Sequence, residues 1–234
     1  MKKLWPIPAA FFAVCCILNL AGCLMEGDLE RCVKPALMPL LCLATMTYIL
    51  ESPGSSILSR KLGLTALLAS GQLFGFAGDT MLLGKGFPFF AGGIGLFLVG
   101  HVFYICLFGG RSWKGLKAWH WVLVLALCLA LVAGLVAAIG VKGVMLAPMA
   151  VYGFVLTLLM FSTFAGALRF GGLEWWMLAA GALLFTFSDA LIAVRNFGSL
   201  SPFIGGFVVM ATYLAAQTLL AAGGARMIKR DFLN

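Results

Sequence analysis

Eight apolar runs punctuate the chain, at roughly 5–24, 33–50, 62–83, 87–109, 118–140, 144–168, 174–195 and 201–225. Short polar connections separate them. Most runs reach the about 20 residues that a helix needs to cross a hydrocarbon core. The second is short, with room to grow at either end. The pattern predicts an all-α polytopic membrane protein, with eight transmembrane helices in one bundle and antiparallel neighbours. No Pro/Ser-rich linker interrupts residues 1–234, so the expectation is a single integral membrane domain.

Composition agrees. Hydrophobic residues make up 63% of the chain and charged residues 10%, and the mean hydropathy is +1.08. Water-soluble domains do not have that balance. The net charge of +8 could suggest nucleic acid, but the basic residues stand singly or in pairs between apolar runs. They orient the bundle instead. Lys2, Lys3, Arg60, Lys61, Arg111, Lys114, Lys117, Arg169, Arg226, Lys229 and Arg230 fall at one set of helix ends. Arg31, Lys34, Lys85, Lys142 and Arg195 fall at the other. Eleven against five puts both termini in the cytoplasm by the positive-inside rule, and an even number of spans agrees. The "MKK" start and compact loops point to a bacterial inner membrane. The segment "MKKLWPIPAAFFAVCCILNLAGC" also has the form of a lipoprotein signal ending before Cys23. We read it as the first span; cleavage would leave seven without reorienting the rest. The seven cysteines lack paired spacing and read as small buried hydrophobes.

A faint internal echo accompanies this layout. Setting Asp79 on Asp189 also aligns Gly71 with Gly181 and Leu73 with Leu183, as a parallel four-plus-four pseudo-repeat would.

Ionisable residues inside a membrane are costly and mark function first. Here they are Asp79, His101 and Asp189, with Lys34 and Arg195 near helix ends. Helical spacing puts Gly75, Gln72 and Gly71 on the face of Asp79, and Thr186 on that of Asp189. His101 shares a face with Tyr104, and Tyr213 shares one with Gln217. Four helices thus present polar stripes to one interior site. Tyr152 adds hydrogen-bonding capacity but reads, like the other tyrosines, as a packing residue. At about 1.5 Å per residue, Asp79 and Asp189 lie roughly 6 and 9 Å inside the non-cytoplasmic ends, so both carboxyls are expected at one level around one cavity. Lys34 and Arg195 sit above them, and His101 lies deeper. An Asp79–Lys34 structural tie is the plainer alternative.

Two histidines are too few for a three-histidine zinc site, and neither a nucleophile elbow nor a glycine-rich phosphate loop is present. No metal or cofactor is expected. A two-carboxylate acid/base site remains.

The segments "KPALMPLL" (34–41), "FGFAGD" (74–79), "GLFLVGHVFY" (95–104), "GALLFTFSD" (181–189) and "YLAAQTLL" (213–220) resemble the YhhN-type lysoplasmalogenase family of integral membrane proteins. The resemblance runs from the second helix to the eighth and is thin in the first helix and in 110–145. It implies hydrolysis of the vinyl ether bond of lysoplasmalogens to a fatty aldehyde and glycerophosphoethanolamine or glycerophosphocholine. It puts the paired aspartates on Asp79 and Asp189, and the other motif positions on Lys34, His101, Tyr104, Ser188, Tyr213 and Gln217. The chemistry fits: protonation of the vinyl ether needs a carboxylic acid, and the resulting cation needs a carboxylate, the division of labour seen in glycosidases. Burial and a like charge both favour the neutral form of a carboxyl in general. Lys34 and Arg195 are candidates for the phosphate. The expected partners are a lysophospholipid substrate and membrane lipids, with no obligate protein partner. The rival readings are a proton-coupled transporter using the same aspartates, and a non-catalytic lipid-binding protein.

Overall fold

The computed structural model describes residues 3–25, 27–51, 58–139, 146–197 and 202–233. Lys2 and Lys142 of the charge count lie outside them. The described residues form eight helices: α1 (Pro6–Leu24), α2 (Leu29–Leu50), α3 (Leu58–Met81), α4 (Phe87–Ser112), α5 (Ala118–Ile139), α6 (Leu146–Phe170), α7 (Gly172–Phe197) and α8 (Pro202–Leu233). The second run extends at its N-terminal end, and the eighth continues past its apolar part to Leu233.

Six of these helices are long and apolar enough to cross a membrane: α1, α2, α4, α6, and the stretches Gly172–Arg195 of α7 and Gly206–Asp231 of α8. By length and composition they mark an integral membrane protein. Gln72 and Asp79 reduce the apolar character of α3, and α5 contributes a shorter apolar stretch, Ala118–Gly134.

Sequence neighbours pack in pairs: α1 on α2, α3 on α4, and α7 on α8. The last helix also touches α1, α2 and α3. The most apolar stretch of α8 is 56% buried and that of α1 22%. The last helix is therefore central, while α1 turns Ile7, Phe11, Val14 and Ile17 outward. Lipid is a good solvent for such faces, so helices here associate through close packing and hydrogen bonds rather than apolar burial.

Glycine makes that packing close. A Cβ on Gly71 would lie 2.4 Å from the Tyr104 ring, and one on Gly181 would lie 3.1 Å from the Ala216 carbonyl. Gly71 therefore admits an aromatic from α4, and Gly181 admits the α8 backbone. The turn between α6 and α7 is a Gly171–Gly172 pair, both at positive φ (60° and 79°), where a side chain would be strained.

The seven cysteines are free; Cys23, Cys42 and Cys128 are buried, whereas Cys32 and Cys106 are exposed rather than buried as expected.

Candidate active site

Asp79 sits near the C-terminal end of α3, 2% exposed. The Tyr213 hydroxyl of α8 donates to its Oδ2 at 2.6 Å, and Lys34 Nζ of α2 lies 3.7 Å from its Oδ1. Gln217 Nε2, one turn from Tyr213, donates to that phenol oxygen at 3.3 Å. Tyr104 of α4 donates to Gln217 Oε1 at 3.2 Å. Five expected residues thus form one chain across four helices: Lys34, Asp79, Tyr213, Gln217 and Tyr104. Gly75 leaves it room, since a Cβ there would lie 3.2 Å from Gln217 Nε2. The tie between Lys34 and Asp79 is part of a network rather than an isolated link.

Asp189, on α7 and 6% exposed, has a different neighbourhood. The Tyr152 hydroxyl of α6 donates to its Oδ2. No lysine or arginine is ion-paired with it among the described residues. The two carboxyls therefore take different phenols, and a cluster of rings connects them. Phe185 meets His101 edge-on at 4.4 Å and Tyr213 at 5.5 Å, and His101 in turn meets Tyr152 at 5.9 Å.

Two cavities adjoin the cluster. The first, about 600 Å³, is lined by Glu30, Arg31, Lys34, Lys85 and Arg195 with Leu82–Phe87, Phe90, Ile192, Val209 and Met210. Its walls carry four cations and one carboxylate. Arg31 Nη2 donates to the Leu83 carbonyl at 2.9 Å, bracing α2 against the turn after α3. The Arg195 guanidinium lies over Gly206. The second cavity, about 560 Å³, is almost wholly apolar. Ile94, Leu98, Leu131, Met149 and Leu156 line it, and its polar side chains are Tyr152, Thr186 and Asp189. The two cavities share Phe87, Phe90 and Ile192 as walls.

Of the expected site residues, Lys34 and Arg195 line the basic cavity and Asp189 lines the apolar one. Asp79 lines neither but joins the basic cavity through Lys34. Ser188 donates to the Val209 carbonyl at 3.1 Å, tying α7 to α8. His101 is buried beneath the apolar cavity's Tyr152, its Nδ1 without a hydrogen-bond partner among the described residues. Tyr152 is the residue sequence reasoning undervalued. A buried tyrosine in a transmembrane run needs a partner for its hydroxyl, but nothing in the spacing said that the partner stands 37 positions away.

The YhhN family pattern matches residues 29–224. The chain belongs to the YhhN family. It is 29% identical over 192 residues to a human protein named lysoplasmalogenase TMEM86B, covering 81% of this chain and 73% of that protein. It is 31% identical over 191 residues to the mouse protein of the same name, covering 80% and 73%. No solved structure matches. The family match begins at the first residue of α2 and stops within α8, so α1 lies outside it, as do the last turns of α8.

Proposed function

We propose that this YhhN-family chain is a lysoplasmalogenase that hydrolyses the vinyl ether bond of a single-chain phospholipid. The supporting observation is the pair of adjoining cavities. A basic chamber suits a phosphate head group, and an apolar chamber with one carboxyl suits an alkenyl chain. A lysoplasmalogen carries its vinyl ether between those two parts. Lys34 and Arg195 would hold the phosphate; the alkenyl chain would lie past Phe87 and Phe90 toward Asp189.

In this reading Asp189 donates its proton to the β-carbon of the vinyl ether, and the enol ether π pair forms the new C–H bond. The ether oxygen shares its lone pair, giving an oxocarbenium ion. Water adds to the cationic carbon and returns a proton to the Asp189 carboxylate. The hemiacetal then collapses to fatty aldehyde and a glycerol hydroxyl, so the net reaction consumes one water. Tyr152 orients the Asp189 carboxyl. Asp79, ion-paired with Lys34 and hydrogen-bonded by Tyr213, contributes a fixed negative charge near the developing cation, the kind of preorganised electrostatics that dominates many active sites.

All eight helices act as spans in this proposal, both termini lie in the cytoplasm of a bacterial inner membrane, and the basic chamber faces the other side. The deciding assay incubates purified protein with lysoplasmalogen and with its saturated ether analogue. Aldehyde should appear from the first and not from the second. Absence of aldehyde from both overturns the hydrolase reading and returns the aspartates to proton transport or lipid binding. A reporter fused to the C-terminus and found outside would overturn the topology.

A further inference from the structure

A second basic cavity lies at the opposite end of the bundle, about 490 Å³, where α4, α6, α7 and α8 come together. Arg111, Lys114, Arg169 and Arg230 line it against Glu174 and Asp231, over Phe170, Trp175 and Met227. We propose that this cavity is a binding site for a phosphate-bearing anion, distinct from the candidate active site and independent of the hydrolase reading.

Its charges do not cancel. Arg111 pairs with Asp231 and Arg230 with Glu174, so each carboxylate already holds one arginine. Two cations remain. Lys114 makes no ion pair among the described residues. Arg169 uses one Nη1 hydrogen on the Lys114 carbonyl and has no ion-paired carboxylate among them either. Four lining cations against two carboxylates leave a surplus of two positive charges.

Of the remaining cations, Arg169 is also held in place. The Arg169 guanidinium lies over the Phe170 ring, 5.3 Å from its centroid, and Phe170 stacks on Trp175 at 5.2 Å. The bond to the Lys114 carbonyl fixes Arg169 against the α4–α5 turn. A guanidinium fixed by one donor and by its face still presents further N–H groups in a fork that matches phosphate oxygens. The floor is firm: Trp175 and Met227 are 4% and 2% exposed, and Gly166 is flush with the Trp175 ring, where a Cβ would lie 2.1 Å away. Beside the cavity Leu173 and Trp176 are exposed. An indole and a leucine at the end of an apolar span suit the membrane–water interface, so the anion has two possible sources: the head group of an acidic phospholipid, or soluble phosphate. Basic hollows between helix ends are known receptors for such head groups.

The test uses the full chain in phosphatidylcholine nanodiscs and reads its melting temperature. One arm replaces part of the phosphatidylcholine with phosphatidylglycerol; the other adds inorganic phosphate. At least one arm should raise the melting temperature, and which one does so names the source. Lys114→Gln and Arg169→Gln should each weaken the apparent affinity about tenfold, the worth of a charge-assisted hydrogen bond, and the double variant should abolish the shift. Lys117→Gln removes the same charge at the same end but outside the cavity, and should leave the shift intact. Two results overturn the proposal: no stabilisation of wild type in either arm, or an equal loss in Lys117→Gln and Lys114→Gln. Lys114→Gln breaks no ion pair, so its folding is protected, and its melting temperature without ligand should match wild type.

Discussion

Asp79 and Asp189 both lie in the C-terminal halves of their helices, two residues from the end of α3 and eight from that of α7, yet their surroundings differ in kind. Asp79 belongs to a network: a lysine at 3.7 Å, a phenol at 2.6 Å, and behind that phenol Gln217 and Tyr104. Asp189 has one phenol and an apolar cavity. A buried carboxylate is tolerated when a cation and hydrogen bonds compensate its lost hydration, and Asp79 has both. Asp189 has the approach to the space where a chain would lie. The contrast separates a charge held in place from a group that can reach a substrate.

The largest effect should come from removing the acids themselves. Asp189→Asn should lower vinyl ether hydrolysis by about 10²–10⁴-fold, the usual worth of general acid catalysis, with the fold retained. Asp79→Asn should cost about 10²-fold or more in kcat, comparable with losing one preorganised charge interaction. If Asp189→Asn keeps more than about a tenth of the wild-type rate, the assignment of Asp189 as the acid is wrong. A solvent deuterium effect on wild type, lost in no other variant, would sharpen the same point.

Breaking the ion pair tests the other half of the contrast. Lys34→Met strands a buried carboxylate and should destabilise the protein by about 3 kcal/mol. Combining it with Asp79→Asn should recover much of that, because both members of the pair are then neutral. No comparable rescue should exist for Asp189, whose partner Tyr152 is uncharged. Equal melting temperatures for Lys34→Met and Lys34→Met/Asp79→Asn would mean the pair carries no stabilising charge interaction.

Arg195→Ala should raise KM about tenfold while leaving kcat nearly unchanged, as expected for removal of uniform binding to a head group. Unchanged kinetics would remove Arg195 from the basic cavity's function.

The smallest expected effects belong to the two phenols. Tyr152→Phe deletes one hydrogen bond and Tyr213→Phe two, each worth about 1 kcal/mol net. Tyr152→Phe should lower kcat more than it lowers the melting temperature, since the Tyr152 hydroxyl bonds Asp189 alone among the described residues. Tyr213→Phe should do the reverse, since it also holds Gln217. The opposite ranking would dissolve the distinction drawn between the two aspartates.

Much of the fold was legible because a membrane span is a length and a composition, both of which sequence states directly. Helix boundaries moved mostly where polar residues extend a helix past its apolar part, as at Leu29–Cys32 and Arg226–Leu233, whereas α3 stops at Met81, two residues before its apolar run ends. The grouping of Lys34 with Asp79, and of Tyr213 with Gln217, followed from depth and from helical spacing. The partner of Asp189 did not. It depends on which face α6 turns toward α7, and that rotation is set by close packing that no periodicity records. The division into a charged cavity and an apolar one was equally hidden, because the walls come from α2, the α3–α4 turn, α4, α5, α6, α7 and α8 together. Ser188, carried by resemblance alone, is bonded to the Val209 carbonyl.

The shared wall of Phe87, Phe90 and Ile192 has a further consequence. If a phosphate is anchored on one side of it and a chain threads to the other, the reacting bond is located by counting atoms from the anchor. Such a ruler has its zero at the head group, so lengthening the hydrocarbon tail adds material only beyond the mark. Tail length should then change how tightly a lipid is held but not which bond is cut, whereas inserting one methylene between phosphate and ether would misplace the bond and abolish cleavage.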